Sequence, residues 1–268
     1  MHPHHTTTLQ NTLAHFSPNP AVLALLLAGS LAHGFATATS DVDVLVVLTE
    51  EAYAEQLRSG ERTFVSTALA TYPGGFVDAK YISLGFMREV AERGSEPARF
   101  AFEGARVVLD RIPPEEGVLG GVLERIVGYP VEGKRERVVR FRAQLDAWRW
   151  YCGEGLRKRE GDGGYLLGLA VRKLVLFGGR LVLAENEVLY PFHKWFLRVL
   201  EGVERKPEGL MECVRRVLGE PSEENVEAFY ELIKGWREWE ESSNRWGPQF
   251  MVDTELTWMS GHTPVDDL

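Results

Sequence analysis

The pattern of apolar residues changes at Pro113-Pro114, and this change limits which folds are possible. Before this point, short β-branched runs alternate with stretches of helical pattern, which is typical of an α/β sandwich. We predict strands at Val44–Leu48, Phe76–Ser83 and Arg106–Leu109, and helices at Glu50–Tyr72 and Met87–Phe102.

The chain beyond Pro114 has a helical pattern throughout. Apolar residues recur there at steps of three and four, which predicts one apolar helix face: Val138, Phe141, Leu145, Trp148, Cys152 and Leu156. We predict further helices at Tyr165–Ala184, Phe192–Val203, Gly209–Leu218 and Glu223–Ser242, the last capped by Ser222. The expected organisation is a small α/β domain over 1–112, a helical bundle over 113–243 and an irregular tail over 244–268.

Composition excludes several classes of protein. With 44% apolar and 26% charged residues, the 268-residue chain has the composition of a soluble globular protein. Its most apolar long stretch, Leu166–Ala184, contains Arg172, Lys173 and Arg180, so we expect no membrane partner. Two cysteines, Cys152 and Cys213, form no disulfide or zinc pattern, so we expect a cytoplasmic protein. The net charge of −9 argues against nucleic-acid binding, and the oligomeric state is left open. We expect Met1–Thr8 to be a polar tail; alternatively, its three histidines could hold a metal.

The candidate residues for ligand binding and catalysis lie mainly between Leu27 and Val47. The pattern predicts an apolar helix from Ala21 that runs into Gly29-Ser30, where a glycine lets the backbone approach a ligand closely. Asp41 and Asp43 open the following strand, and residues two apart on a strand point to one face. Two adjacent carboxylates repel each other unless a cation lies between them. Mg²⁺ prefers oxygen ligands and accompanies a triphosphate, so we expect both here.

These residues resemble a known signature. Gly29-Ser30, Gly34 and Ser40-Asp41-Val42-Asp43 are similar to the motif of the DNA polymerase beta-like nucleotidyltransferase superfamily. The resemblance covers Ala21–Leu48 closely and extends more loosely to Asp110. It implies a nucleotidyltransferase-type mixed sheet with helices and a third carboxylate on a later antiparallel strand. Asp78 matches that placement, with Glu103 and Asp110 as competitors.

The resemblance also implies a set of roles. Asp41, Asp43 and Asp78 would be catalytic and would bind one or two Mg²⁺ ions. Nucleotide contacts would come from Gly29, Ser30 and Ser40, although Ser40 could instead be only a turn residue. An acceptor hydroxyl would attack the α-phosphorus of ATP or another nucleoside triphosphate, and pyrophosphate would leave. His33 departs from the family pattern, which often has Arg or Lys there.

A second resemblance lies in the helical part. The stretch from Tyr190 to Trp195 is similar to the Tyr-Pro-x-x-Lys-Trp segment of kanamycin-nucleotidyltransferase-like enzymes, in which a helical domain closes over the nucleotide. By this analogy Lys194 would contact the phosphates. The resemblance implies transfer of AMP from ATP to a small-molecule hydroxyl. Alternatives are a protein or tRNA hydroxyl as acceptor, or a catalytically silent, antitoxin-like partner module.

Overall fold

A computed structural model describes residues 1–113, 118–158, 163–240 and 246–261. The chain divides into two compact units, Met1–Gly128 and Tyr129–Leu268. This division falls later than the expected boundary after residue 112. The physical reason is the helix Leu119–Val127, which packs with the helices of the first unit.

The first unit is built around a five-stranded sheet that is mixed, as the resemblance implied, and the sequence patterns predicted three of its strands. Its strands lie in the order β3-β4-β2-β1-β5. The β2–β4 pair is parallel, whereas the other three pairs are antiparallel. The strands are β1 (Val22–Leu27), β2 (Val42–Leu48), β3 (Thr63–Ser66), β4 (Val77–Ser83) and β5 (Arg106–Asp110). The helices are α1 (Pro3–Phe16), α2 (Gly29–His33), α3 (Glu50–Ser59), α4 (Leu84–Arg93), α5 (Glu96–Phe100) and α6 (Leu119–Val127).

The central strands β1 and β2 are buried on both faces. Alternate residues of β1 enter different apolar clusters, with Leu26 packing toward α4 and α6 and Leu25 packing toward α1. The helix predicted from Ala21 is therefore wrong, because Val22–Leu27 is a strand. A continuous apolar run of six residues has no period that separates a buried strand from a buried helix.

Two other local predictions in this unit need correction. The helix predicted at Glu50–Tyr72 ends at Ser59, where Gly60 adopts a left-handed conformation (φ 80°), and the edge strand β3 follows. The helix predicted at Met87–Phe102 is instead the pair α4 and α5, because Gly94 ends the first helix in an extended conformation.

The N-terminal residues form a helix instead of the expected polar tail. His5, Thr8 and Thr12 are buried on α1, and the Asn11 side chain donates a hydrogen bond to the carbonyl of Leu69. Tertiary contacts therefore order a segment that carries few apolar residues. The alternative of a metal bound by the N-terminal histidines finds no support among the described residues, which contain no group of three or more metal-ligating side chains.

Arg99 ties α4, α5 and α6 together. Its guanidinium is buried and donates hydrogen bonds to the carbonyls of Ala91, Gly94, Arg125, Ile126 and Gly128. These carbonyls lie at the C-terminal ends of α4 and α6, where helical partners run out and a cation is favoured. Together with the apolar residues of α6 that pack in the core of this unit, these hydrogen bonds hold α6 in the first unit.

The second unit is helical, as predicted, and its helices surround one large apolar cluster. They are α7 (Lys134–Arg157), α8 (Gly163–Glu185), α9 (Phe196–Gly202), α10 (Leu210–Gly219), α11 (Glu223–Trp236) and α12 (Trp246–Asp253). The predicted stripe on α7 packs against this cluster, and Ser222 caps α11 as expected. None of the helices in the described parts of the chain is long and apolar enough to span a membrane.

Three predicted limits in this unit are wrong. Helix α9 begins at Phe196 rather than Phe192, which has a positive φ of 64°. Helix α11 ends at Trp236, and the residues that follow are irregular as far as Glu240. The expected irregular tail contains α12, whose Phe250 ring packs on Trp148 of α7; residues 241–245 and 262–268 of the predicted helix and tail lie outside the described residues.

Candidate active site

The turn between β1 and α2 brings backbone close to a carboxylate. Ala28 donates its backbone N–H to the carbonyl of Asp43 at 2.9 Å, which holds the turn against β2. Gly29 follows with a φ of 61°, a conformation that favours glycine. A Cβ atom placed on Gly29 would lie 1.9 Å from Oδ2 of Asp43. Only glycine fits at this position without moving the carboxylate.

Ser30 is buried beside this contact. The residue is 5% exposed, and its Oγ atom has no hydrogen-bond partner. Its carbonyl accepts the N–H of Phe35 at 2.9 Å, which closes the short helix α2. A buried hydroxyl without a hydrogen-bond partner costs free energy. The Ser30 hydroxyl can therefore donate a hydrogen bond to an oxygen atom of a bound ligand.

Two of the three predicted carboxylates are brought together by strand pairing. Asp43 on β2 is the direct register partner of Asp78 on β4. Neighbouring strands lie about 4.7–4.9 Å apart, and paired residues of parallel strands point to the same face. Both residues are partly exposed. The strand that carries Asp78 is parallel to β2 and antiparallel to β3, so the antiparallel orientation implied by the resemblance does not hold relative to the strand of Asp43.

Asp41 precedes β2 and is also partly exposed. Burial raises the pKa of the Tyr72 phenol, and the negative charge of Asp41 raises it further. The phenol is therefore close enough to Asp41 for the two groups to interact. The Tyr72 hydroxyl donates a hydrogen bond to the carbonyl of Ser40, the residue before Asp41. Sequence reasoning missed Tyr72; its only sequence signal is the turn-forming Pro-Gly-Gly that follows it.

Ser40, predicted to bind nucleotide, has its hydroxyl engaged in a local turn. Its Oγ atom accepts the backbone N–H of Thr37 at 2.9 Å, and its own N–H donates to the Thr37 carbonyl at 3.2 Å. This geometry agrees with the alternative interpretation of Ser40 as a turn residue. A nucleotide contact from its side chain stays a prediction.

The competing carboxylates occupy different surroundings. Asp110 ends β5, which pairs with β1 and not with β2, and its Oδ1 atom accepts the N–H of Ile112 at 3.0 Å. This is a structural role. Glu103 lies in the turn after α5, and burial raises its pKa. That turn packs beside α2, since a Cβ on Gly104 would lie 2.8 Å from the Ala32 carbonyl.

His33 ends α2 between two aromatic rings. Its ring centroid lies 4.4 Å from that of Phe100 and 5.5 Å from that of Phe35, with near-parallel planes. Burial lowers the pKa of His33, which favours a neutral imidazole. His33 therefore packs between aromatic rings, and a neutral imidazole would attract phosphate less than the Arg or Lys that the resemblance implies at this position.

Lys194 belongs to the second unit. It is exposed in the segment between α8 and α9, with its Nζ atom 5.0 Å from the centroid of the Trp195 ring. In the same segment, the hydroxyl of Tyr190 and Nδ1 of His193 are hydrogen bonded at 2.9 Å. Contact of Lys194 with phosphate stays a prediction.

A comparison with protein families identifies residues 9–96 of the first unit. A family model described as a nucleotidyltransferase domain matches residues 9–96. These residues form a nucleotidyltransferase domain of the DNA polymerase beta-like superfamily. The match includes Gly29, Ser30, Asp41, Asp43 and Asp78.

Other comparisons are more distant. A nucleotidyltransferase-like protein from Exiguobacterium sibiricum, known from a crystal structure, is 9% identical to this chain. The alignment covers 98% of this chain and 83% of that one, with a TM-score of 0.46. The search of curated proteins found no match.

We predict that Gly29→Ala destabilises the nucleotidyltransferase domain more than Gly34→Ala does. Both glycines have a positive φ, but a Cβ on Gly34 meets no atom within 4 Å. Gly34→Ala should cost only the backbone strain, about 1 kcal/mol in the free energy of unfolding. Gly29→Ala should cost about 2–3 kcal/mol, because the Asp43 carboxylate must also move. Denaturant unfolding of the two variants measures the difference. An equal decrease in the free energy of unfolding would show that the close approach of Gly29 to Asp43 does not affect stability.

Proposed function

We propose that this protein is a Mg²⁺-dependent nucleotidyltransferase that transfers AMP from ATP to a hydroxyl of a small-molecule acceptor, with release of pyrophosphate. The observation that carries the proposal is the close packing of the Gly29 backbone on the Asp43 carboxylate, within a nucleotidyltransferase domain. The choice of AMP and of a small acceptor rests on the resemblance of the Tyr190–Trp195 segment to kanamycin-nucleotidyltransferase-like enzymes.

The donor set supports Mg²⁺ that arrives with a triphosphate. Within the described residues, no three His, Cys, Asp or Glu side chains form a group that could hold a metal by itself. Mg²⁺ is commonly bound through one or two carboxylates, with phosphate oxygens and waters completing its octahedron. Asp41 and Asp43 fit that pattern, and bound Mg²⁺ would neutralise charge on the phosphates.

The turn beside these carboxylates would bind the rest of the triphosphate. The buried Ser30 hydroxyl, which has no partner, can donate to a phosphate oxygen. The backbone N–H groups at the start of α2 can do the same, because the first turn of a helix has no partners for them. A side chain at Gly29 would displace the carboxylate that faces the turn.

Asp78 is the proposed general base. The acceptor hydroxyl oxygen would form a bond to the α-phosphorus, and the bond between the α-phosphorus and the bridging oxygen would break, releasing pyrophosphate. The proton of the hydroxyl would pass to the Asp78 carboxylate. The register pairing of Asp78 with Asp43 supports this role, since Asp78 lies on the strand next to the one that carries Asp43.

The location that we propose is the cytoplasm. Cys152 and Cys213 are both free and buried. Burial raises the pKa of Cys152 to about 12, so its thiol is protonated and unreactive. Two free thiols in a folded core fit a reducing compartment.

The metal assignment is tested by Asp41→Asn combined with Asp43→Asn. Neutral amides cannot balance the charge of Mg²⁺ and triphosphate, so turnover should be lost, while relief of carboxylate repulsion keeps the fold intact. The assay is release of pyrophosphate from labelled ATP in the presence of Mg²⁺ and a library of hydroxyl acceptors. Wild-type turnover in the double variant rejects the assignment. Mg²⁺-dependent ATP binding by the unaltered protein, without turnover on any acceptor, would instead favour the silent partner module.

Ser30→Ala should separate stability from nucleotide binding. Removal of a buried hydroxyl without a partner should leave the free energy of unfolding unchanged or raise it. Affinity for Mg²⁺-ATP should fall about tenfold, because a hydrogen bond to a charged oxygen is lost. Ser40→Ala is the matched control, since its hydroxyl accepts a turn hydrogen bond: stability should fall by about 1 kcal/mol with little change in affinity. Calorimetric titration that shows the opposite ranking of affinities would assign the nucleotide contact to Ser40.

Asp78→Ala should lower kcat by about 10²–10⁴, a typical contribution of a general base. ATP affinity should change much less, because Asp41 and Asp43 are retained. Glu103→Gln is the control, as Glu103 is the competing, half-buried carboxylate. Steady-state kinetics of both variants identify the general base. If Glu103→Gln is inactive and Asp78→Ala is active, the general base is Glu103.

A further inference from the structure

The backbone of Asp41 is held on both sides by one short turn. The carbonyl of Ser40, immediately before Asp41, accepts a hydrogen bond from the Tyr72 hydroxyl. The N–H of Val42, immediately after Asp41, donates to the carbonyl of Phe76 at 3.0 Å. Both partners come from the five residues that lead into β4.

The Tyr72 ring is fixed by its surroundings. A Cβ atom on Gly75 would lie 2.4 Å from Cζ of Tyr72, so the ring packs directly on that glycine. The rings of His4 and His5 lie 4.4 and 5.1 Å from the Tyr72 ring, centroid to centroid. The N–H of Gly75 also donates to the Tyr72 carbonyl at 3.1 Å, which closes the turn. The phenol therefore reaches Ser40 from a rigid support.

Asp41 needs such support more than Asp43 does. Asp43 lies inside β2 and its carbonyl is bonded to Ala28, whereas Asp41 lies before the strand. The peptide between Ser40 and Asp41 sets the direction of the Asp41 side chain, and Tyr72 holds the carbonyl of that peptide. Another contact to this loop, from Nε2 of His4 to the Ala38 carbonyl at 2.9 Å, acts three residues upstream.

We infer that Tyr72 is a positioning residue that orients the Asp41 carboxylate toward the metal ion of a bound Mg²⁺-triphosphate. The inference rests on the proposed function, since it assigns Tyr72 a task at that site. Tyr72 contacts neither metal nor nucleotide; it acts through the Ser40–Asp41 peptide. Loss of its hydroxyl should therefore weaken binding of the metal-nucleotide complex and leave binding of metal-free nucleotide unchanged.

Two variants of the full chain alter this contact in different ways. Tyr72→Phe removes the hydroxyl, and Gly75→Ala displaces the ring while it keeps the hydroxyl. Tyr81→Phe is the matched control, because it removes the hydroxyl of a half-buried tyrosine in the same domain, on β4. Each protein is titrated calorimetrically with Mn²⁺-ATP and, separately, with ATP in excess chelator. Hydrogen exchange of the peptide that covers residues 35–41 reports whether the loop loosens.

Both Tyr72→Phe and Gly75→Ala should weaken Mn²⁺-ATP binding about three- to tenfold, the range expected for one lost hydrogen bond. Both should speed hydrogen exchange over residues 35–41 and leave metal-free ATP affinity unchanged. Tyr81→Phe should match the unaltered protein in all three measurements. Unchanged Mn²⁺-ATP affinity in both test variants overturns the inference alone, and so does an equal loss with and without metal. Failure of the unaltered protein to bind Mn²⁺-ATP overturns the proposed function, and the inference with it.

Discussion

The site depends on the contact between the Gly29 backbone and the Asp43 carboxylate. Strands β1 and β2 are antiparallel neighbours, so the last residues of β1 lie beside the first residues of β2. There the chain must turn sharply with a positive φ and no side chain, because Asp43 fills the space where a Cβ would lie. The next residue in this turn, Ser30, carries a buried hydroxyl without a hydrogen-bond partner. One steric constraint thus joins the turn that we propose to bind phosphate to the residue that we propose to bind the metal ion.

Pairing on the other side of β2 adds the third carboxylate. Because β4 is parallel to β2 and in register with it, Asp78 lies beside Asp43 on the same face. The segment that leads into β4 also holds the backbone on both sides of Asp41. The two strands beside β2 therefore contribute differently. Strand β1 leads into the Gly29 turn, whereas β4 carries Asp78 and follows the segment that holds the backbone around Asp41.

The sequence predicted the parts of this site that depend on residue type and spacing. Gly29, Asp41 and Asp43 stand out because few other residues suit a close backbone approach or a cation. Other features depend on contacts distant in sequence: the parallel direction of β4, the burial of β1 on both faces and the helix α1 formed by polar residues. Periodicity could not separate a six-residue buried strand from a helix, and no local signal indicated that Tyr72 would reach the Ser40 carbonyl.

A crystal structure of the protein with Mn²⁺ and a non-hydrolysable ATP analogue would test the central claim most directly. Anomalous scattering locates the metal independently of the protein model. The account predicts a Mn²⁺ peak about 2.0–2.2 Å from carboxylate oxygens of Asp41 and Asp43, with phosphate oxygens of the analogue at the Gly29-Ser30 turn. A nucleotide and metal bound elsewhere, with the Ser30 hydroxyl still unpartnered, would contradict it.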